Sequence, residues 1–262
     1  MTAPTLAHDD AGAGPPLLLL HGFPHDRALW APQRALARRA RVIAPDLRGF
    51  GASAAAGAPP TTLDAHADDA AALLDALGIE RAVVGGLSMG GYIAFAFWRR
   101  HRARVAALLL ADTRPGADDA AGIARRRELI AAARRDGARA VADAMMPGLL
   151  GKTTRARRPG VEREMRAICE RAPVAGIVGA LEAMIARPDS TPGLATIDVP
   201  VQIVVGAEDV LTPPRESEAM HAAIRGSRLA VIPEAGHASN LEDPAAFNAV
   251  VEDFLRAIGR AI

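Results

Sequence analysis

The feature that most constrains the fold of this chain is a serine within a Gly-x-Ser-x-Gly pattern at residues 86–90. An apolar run typical of a strand precedes this pattern, and a run compatible with a helix follows it. A strand that turns into a helix within so few residues needs a sharp bend, where flanking side chains would collide with neighbouring strands. Gly86 and Gly90 leave that space free, so Ser88 is expected at the tip of the bend. The pattern predicts a nucleophilic serine above a sheet.

Length and composition indicate one α/β domain with an insertion. The chain has 262 residues, half of them hydrophobic, which is enough to bury a continuous core. Its net charge of +1 argues against nucleic-acid binding. The single Cys169 cannot form an internal disulfide and is expected as a buried apolar residue. Neither a secretory signal nor a membrane-length apolar run is recognisable, so we expect a cytoplasmic protein that does not bind membranes.

Short apolar runs alternate with amphipathic helical segments along most of the chain. The strand candidates are Leu17–Leu20, Arg41–Ala44, Ala82–Gly85, Val105–Ala111, Val201–Val205 and Leu229–Ile232. The helix candidates are Trp30–Arg39, Leu63–Leu77, Met89–Arg100, Pro214–Ile224 and Pro244–Ile258. This alternation predicts an α/β fold with a mostly parallel, doubly wound sheet that helices cover on both faces.

One region interrupts the alternation. Residues 113–196 contain no convincing strand but several helical patterns, divided by prolines and glycines. A helical block between two strands of one sheet is typical of a cap. We therefore predict a core formed by residues 1–112 and 197–262, with a helical cap formed by residues 113–196.

A serine hydroxyl needs a base to accept its proton, and His237 is the best candidate. His237 follows the last strand candidate, and Asp209 follows the strand Val201–Val205. The carboxyl ends of parallel strands are where such sheets place functional residues, and a carboxylate would hold the imidazole in the correct tautomer. Asp112 also follows a strand and remains an alternative acid or a hinge residue of the cap. Glu208 adjoins Asp209, but only one of these two neighbours is expected to face the histidine.

Attack on a carbonyl creates an oxyanion, which needs two preorganised donors. The first expected donor is the backbone N–H of Met89, directly after the serine. The second is the N–H of Phe23, in the turn that follows the first strand candidate. His21, in the same turn, is expected to form a hydrogen bond within its own loop rather than to act in catalysis.

Five segments together resemble known proteins. They are residues 21–24 (HGFP), 46–53 (DLRGFGAS), 86–91 (GLSMGG), 206–209 (GAED) and 236–242 (GHASNLE). The chain resembles the α/β-hydrolase superfamily, and within it the small cap-bearing esterases, 3-oxoadipate enol-lactonases and cofactor-free haloperoxidases. The resemblance implies the α/β-hydrolase fold, a Ser88–Asp209–His237 catalytic triad, oxyanion donors at Phe23 and Met89, and a cap over the pocket. It implies no metal and no cofactor.

A serine nucleophile narrows the expected reaction to acyl transfer, because relatives that cleave haloalkanes or epoxides need a carboxylate instead. The expected function is hydrolysis of small to medium esters or lactones through an acyl-enzyme on Ser88. A carbon–carbon bond hydrolase or a perhydrolase using the same triad is the alternative, and a non-catalytic ligand receptor is a further one. The expected partner is a small-molecule ester or lactone, and the chain could also form a homo-oligomer.

The cap contains no aromatic residue between Thr113 and Thr196, so its side chains facing a pocket would be aliphatic or thioether groups. Met145, Met146 and Leu149 are candidates for the pocket wall, although such residues could equally fill the interface between cap and core. Arg114 and Arg125–Arg127 could meet a substrate carboxylate or could form the solvated face of cap helices.

Overall fold

The computed structural model describes residues 5–259, which form one seven-stranded sheet. The strands are β1 (His8–Ala11), β2 (Pro16–Leu20), β3 (Arg41–Pro45), β4 (Ala82–Leu87), β5 (Val105–Ala111), β6 (Val201–Gly206) and β7 (Arg228–Ile232). Their order in the sheet is β1-β3-β2-β4-β5-β6-β7. All neighbours pair in parallel except β1 and β3, which confirms the mostly parallel sheet that the sequence predicts.

The edge strand β1 is the one strand that the apolar pattern does not reveal. It reads HDDA and is only half-buried. An edge strand pairs through its backbone on one side and does not need apolar side chains on both faces. Asp9 and Asp10 instead form ion pairs with arginines, among them a 2.6 Å contact between Asp10 and Arg41. The polar sequence therefore fits the edge position.

Helices cover both faces of the sheet. The α-helices are α1 (Leu63–Ala76), α2 (Met89–His101), α3 (Ala120–Asp136), α4 (Ala138–Leu149), α5 (Lys152–Arg157), α6 (Pro159–Glu170), α7 (Val174–Ile185), α8 (Pro214–Ala223), α9 (Ser239–Glu242) and α10 (Pro244–Ile258). Leu18 and Leu20 of β2 join one hydrophobic cluster with α1 and α2, whereas Leu17 and Leu19 join another with α10. The alternation of side chains along a strand thus divides the core into two layers.

The segment predicted as a helix over Trp30–Arg39 is a 3-10 helix that spans Arg27–Arg38. It begins earlier because the side chain of Asp26 accepts a hydrogen bond from the Ala28 N–H at 2.9 Å. Pro32 lies inside it and has no N–H to donate to an α-helical ladder.

The five helices α3–α7 lie between β5 and β6. They pack mainly on one another, through the pairs α3–α7, α4–α6 and α3–α4. Helix α7 also lies close to the loop after β3. A Cβ on Gly176 would lie 2.0 Å from the carbonyl oxygen of Gly49, so only glycine fits at this contact. The division into a core of residues 1–112 and 197–262 and a cap of residues 113–196 stays a prediction. No helix within residues 5–259 is both long and apolar enough to cross a membrane.

Candidate active site

Ser88 lies at the bend between β4 and α2 in a backbone conformation that non-glycine residues rarely adopt. Its φ of 55° and ψ of −114° store strain, which the surrounding structure must hold in place. A Cβ on Gly86 would lie 2.1 Å from the backbone of Gly90, and a Cβ on Gly90 would lie 2.1 Å from the carbonyl oxygen of Leu20. The Ser88 N–H still donates to the carbonyl oxygen of Ala111 at 3.0 Å. The two glycines therefore make this bend possible.

His237 lies between Ser88 and Asp209. Its Nε2 is 2.8 Å from Ser88 Oγ, and its Nδ1 is 2.8 Å from Asp209 Oδ2. An ionised carboxylate can only accept, so Nδ1 carries the proton that is donated to Asp209. The lone pair of Nε2 then faces the serine hydroxyl, which is the orientation that a general base requires.

Backbone and side-chain donors fix the carboxylate of Asp209 from its other sides. Its Oδ1 accepts from the N–H groups of Leu211 and Thr212 at 2.8 and 2.9 Å, and its Oδ2 accepts from Thr212 Oγ1 at 2.7 Å. Burial alone would raise the pKa of Asp209, but the charge of His237 and these hydrogen bonds outweigh it and lower the pKa. Burial would likewise lower the pKa of His237, but the charge of Asp209 outweighs it and raises the pKa.

The two other candidate acids bind elsewhere. Asp112 is fully buried with a φ of 45°, and its carboxylate accepts from the Gly206 N–H at 2.8 Å and from Ser239 Oγ at 2.5 Å. Burial and the nearby charge of Asp209 raise the pKa of Asp112 well above its usual range. Glu208 accepts from the N–H and the hydroxyl of Thr153 at 2.8 and 2.6 Å. Asp112 thus connects β5, β6 and α9, and Glu208 connects the site to α5.

Glu242 holds the loop that contains His237, a role additional to those predicted from the sequence. Its Oε1 accepts from the N–H groups of Gly236 and Ala238 on either side of His237, at 2.8 and 3.2 Å. Its Oε2 accepts from the N–H of Gly151 at 2.9 Å. The glutamate lies within residues 236–242, one of the five segments in which this chain resembles α/β-hydrolases. The position of an acidic residue five places after the histidine is the signal that could have identified it.

Both expected oxyanion donors lie beside the serine. Phe23 lines the same cavity as Ser88, and Met89 is the first residue of α2, where N–H groups have no partner within the helix. Within residues 5–259 neither N–H donates to a protein acceptor. His21 binds within its own region, with Nδ1 2.9 Å from the Gly22 oxygen and Nε2 accepting from the Leu47 N–H at 3.0 Å. The role of the Phe23 and Met89 N–H groups as oxyanion donors stays a prediction.

A cavity of about 520 Å³ opens above Ser88 and His237. Two aromatic residues, Phe23 and Tyr92, also line it. The rest of its apolar wall comes from α3, α4, α7 and the loop after β6, through Leu129, Ala132, Ala144, Met145, Gly148, Met184 and Leu211. Met145 thus lies on the wall, whereas Met146 and Leu149 are buried in the hydrophobic cluster of the α10 layer. Adjacent residues of a helix point about 100° apart, while residues three apart share a face, which explains this division within α4.

The residues within 5–259 show no group of His, Cys, Asp or Glu side chains that could hold a metal ion. Cys169 is buried, and burial raises the pKa of its thiol to about 12. At neutral pH the thiol is therefore protonated and is a poor nucleophile. The serine is the better candidate nucleophile.

This chain is similar to a known protein family, to solved structures of two enzymes and, over part of its length, to a further enzyme. A family model described as the alpha/beta hydrolase fold matches residues 15–244. The structure of a thermophilic esterase from Thermogutta terrifontis, solved with malate bound, shares 42% sequence identity at a TM-score of 0.94, over 97% of this chain and 94% of that chain. The enol-lactonase from Burkholderia xenovorans LB400 shares 31% identity at a TM-score of 0.87, over 96% of each chain. The 2-hydroxymuconate semialdehyde hydrolase of Pseudomonas sp. (strain CF600) is 44% identical over 105 residues, which are 38% of this chain and 37% of that protein.

Proposed function

Because this chain belongs to the alpha/beta hydrolase family, we propose that it hydrolyses carboxylic esters and lactones through an acyl-enzyme on Ser88. The observation that supports this function most directly is the pair of 2.8 Å contacts that join Ser88 Oγ, His237 and Asp209. Ser88 and His237 line a cavity that Phe23 also lines. The similarity to an esterase and to an enol-lactonase supports the same class of substrate.

In the proposed reaction His237 Nε2 accepts the hydroxyl proton while Ser88 Oγ forms a bond to the acyl carbon. The carbonyl electron pair moves onto its oxygen, where the N–H groups of Phe23 and Met89 stabilise the negative charge. The bond to the leaving alkoxide then breaks, and His237 returns the proton to it. A water molecule repeats these steps on the acyl-enzyme, which releases the acid and restores Ser88. For a lactone, the leaving alkoxide stays attached to the acyl group.

The volume of the cavity and its wall support small to medium substrates. The volume of about 520 Å³ falls within the range of small-molecule sites. Aliphatic and thioether side chains suit an acyl or alkyl chain, since they gain from excluding water without needing polar partners.

A fluorophosphonate probe and a panel of esters test this function. We expect one label on the wild-type protein, on Ser88, and no label on the Ser88→Ala variant. That variant should lose about 10⁵-fold or more in kcat on p-nitrophenyl butyrate. Labelling that survives Ser88→Ala, or hydrolysis at the wild-type rate, would show that another residue is the nucleophile.

The second candidate is a carbon–carbon bond hydrolase that uses the same three residues. It is favoured by the local similarity to 2-hydroxymuconate semialdehyde hydrolase, although that similarity spans only 38% of this chain. Here Ser88 or a water molecule would give its proton to His237 and attack a ketone, and the carbon–carbon bond would break as His237 returns that proton to the departing carbon. A panel of p-nitrophenyl esters, lactones and a β-diketone separates the two candidates. A β-diketone rate above all ester and lactone rates would favour the second.

A further inference from the structure

Three arginines converge on one aspartate at the side of the cavity formed by α3 and the segment before it. Asp118 Oδ1 accepts from Arg187 Nη2 at 2.8 Å and from Arg114 Nη2 at 2.7 Å, and Asp118 Oδ2 accepts from Arg126 Nε. Only 2% of the Asp118 side chain is exposed. Burial would raise the pKa of Asp118, but the hydrogen bonds from Arg187 and Arg126 outweigh it and lower the pKa. The cluster therefore contains one ionised carboxylate.

Arg187 alone is sufficient to compensate the charge of Asp118. Its side chain is buried to the same extent, and it also donates to the carbonyl oxygens of Met184 and Gly116 at 2.8 and 3.0 Å. Its guanidinium lies 4.3 Å from the centre of the Tyr92 ring, a cation–π contact. Arg187 is thus held by the protein on several sides and serves the packing of the cluster.

Arg114 and Arg126 differ from Arg187 because they line the cavity that contains Ser88. Their side chains are 29% and 18% exposed. Three guanidinium groups against one carboxylate leave two positive charges without a counter-charge inside the cluster. Each guanidinium has five N–H donors, and the contacts to Asp118 occupy only some of them. A half-buried cation gains from an additional anionic partner, since water solvates it incompletely.

Two further charged residues of the cavity wall do not cancel this excess. Arg125 and Glu128 also line the cavity, but both are exposed to solvent and their charges are opposite. Burial would lower the pKa of the Arg114 guanidinium, but nearby groups, the carboxylate of Glu216 among them, outweigh it and raise the pKa, so Glu216 offsets part of the surplus. The remaining positive charge is located at Arg114 and Arg126, whose side chains are only partly exposed to solvent screening.

We propose that Arg114 and Arg126 form a carboxylate subsite, and that the preferred substrates are esters or lactones that carry a free carboxylate. The inference rests on the proposed function, because it places the ester group at Ser88 and the carboxylate of the same molecule at the two arginines. Asp118 is the positioning residue, which orients both guanidinium groups through their shared contact. A carboxylate accepts two parallel N–H bonds from a guanidinium, which favours arginine for this role.

The test compares two methyl esters of equal shape and different charge. Monomethyl glutarate carries a carboxylate, and the methyl ester of glutaramic acid carries an amide in its place. We expect the wild-type protein to favour the anionic ester in kcat/KM by about 10- to 100-fold, the range for hydrogen bonds to charged groups. The comparison is repeated with the monomethyl esters of the dicarboxylic acids from succinate to suberate, each beside its neutral amide. The preference should be largest at one chain length, which is set by the distance between Ser88 and the two arginines. A ratio near one at every length would refute the subsite.

Variants then assign the preference to residues. Arg114→Gln and Arg126→Gln should each lower the anionic-to-neutral ratio by about tenfold, mainly through KM for the anionic ester, and Arg126→Lys should restore part of it. Arg127→Gln is the matched control, because Arg127 adjoins Arg126 on α3 but is exposed and does not line this cavity. An equal fall in Arg127→Gln would mean a general effect of surface charge and would contradict the proposal.

The same preparations separate the failure of this inference from the failure of the proposed function. If the wild-type protein hydrolyses p-nitrophenyl butyrate and Ser88→Ala does not, the esterase function is supported, whether or not the protein prefers anionic esters. If that activity is present and no ester in the series shows a preference for the carboxylate, the subsite alone is refuted. If neither activity is present, the proposed function fails and the subsite fails with it.

Discussion

The sheet side and the helical side of the cavity are built differently. On the sheet side, Ser88, Asp209 and His237 lie at the carboxyl ends of three parallel strands or in the loops that follow them, and short hydrogen bonds fix each side chain. On the helical side, apolar groups such as Met145 come from the helices, and the charged cluster around Asp118 comes from α3, the segment before α3 and the segment after α7. Under the proposed function, the loops at the carboxyl ends of the strands carry the reaction and the helices select the substrate.

The largest expected effect tests which acid acts on the sheet side. Asp209→Asn should lower kcat by about 10⁴-fold, because an amide can no longer hold His237 in the tautomer that accepts the serine proton. Asp112→Asn is the matched control and should cost no more than about tenfold, because its partners are Gly206 and Ser239. Steady-state kinetics on p-nitrophenyl butyrate measures both. The reverse ranking would assign the orienting role to Asp112.

A second effect concerns pH. Only neutral His237 can accept the proton of Ser88, so kcat/KM should fall about tenfold per pH unit below the pKa of this histidine. Because Asp209 raises that pKa above the ordinary value of 6.5, the acidic limb should lie above pH 6.5. In Asp209→Asn the limb of the residual activity should move to lower pH, since the negative charge is gone. A wild-type limb below pH 6.5 would contradict the electrostatic coupling of these two residues.

The smallest expected effect separates two neighbours on the helical side. Met145→Ala should change the preference for ester chain length by about fivefold, because its side chain lines the cavity. Met146→Ala should leave the chain-length profile in place but lower the free energy of unfolding by about 2–5 kcal/mol, because its side chain is buried in the core. An ester panel and urea unfolding measure the two outcomes. If only Met146→Ala changed the chain-length profile, this would contradict the placement of Met145 on the cavity wall and Met146 in the core.

Much of the fold follows from local sequence patterns. The buried central strands read as continuous apolar runs, and each predicted strand overlaps a strand of the structure. The exceptions have physical causes. Strand β1 is polar because it lies at the edge of the sheet. The helix Arg27–Arg38 begins before its apolar pattern because Asp26 caps it.

The site was predictable where each residue follows a strand in sequence. Ser88, His237 and the strand ends bearing Asp209 and Asp112 could all be read from the chain. The role of Glu242 was predictable only in part: Gly236 and Ala238 are its neighbours in sequence, but Gly151 meets it only in the folded protein. The convergence of arginines on Asp118 likewise depends on Arg187, which is far away in the sequence.

The bend at Ser88 follows from the sequence, because the steric limits around Gly86 and Gly90 are local, and so does the alternation of strands and helices that produces a parallel sheet. The carboxylate that meets His237 is selected by the packing of the whole fold. Asp112 and Asp209 both follow buried strands, and their different partners depend on long-range packing. The same reason applies to the cavity. A helix pattern shows that Met145 and Met146 are both apolar, but only the contacts between helices place Met145 on the cavity wall and Met146 in the core.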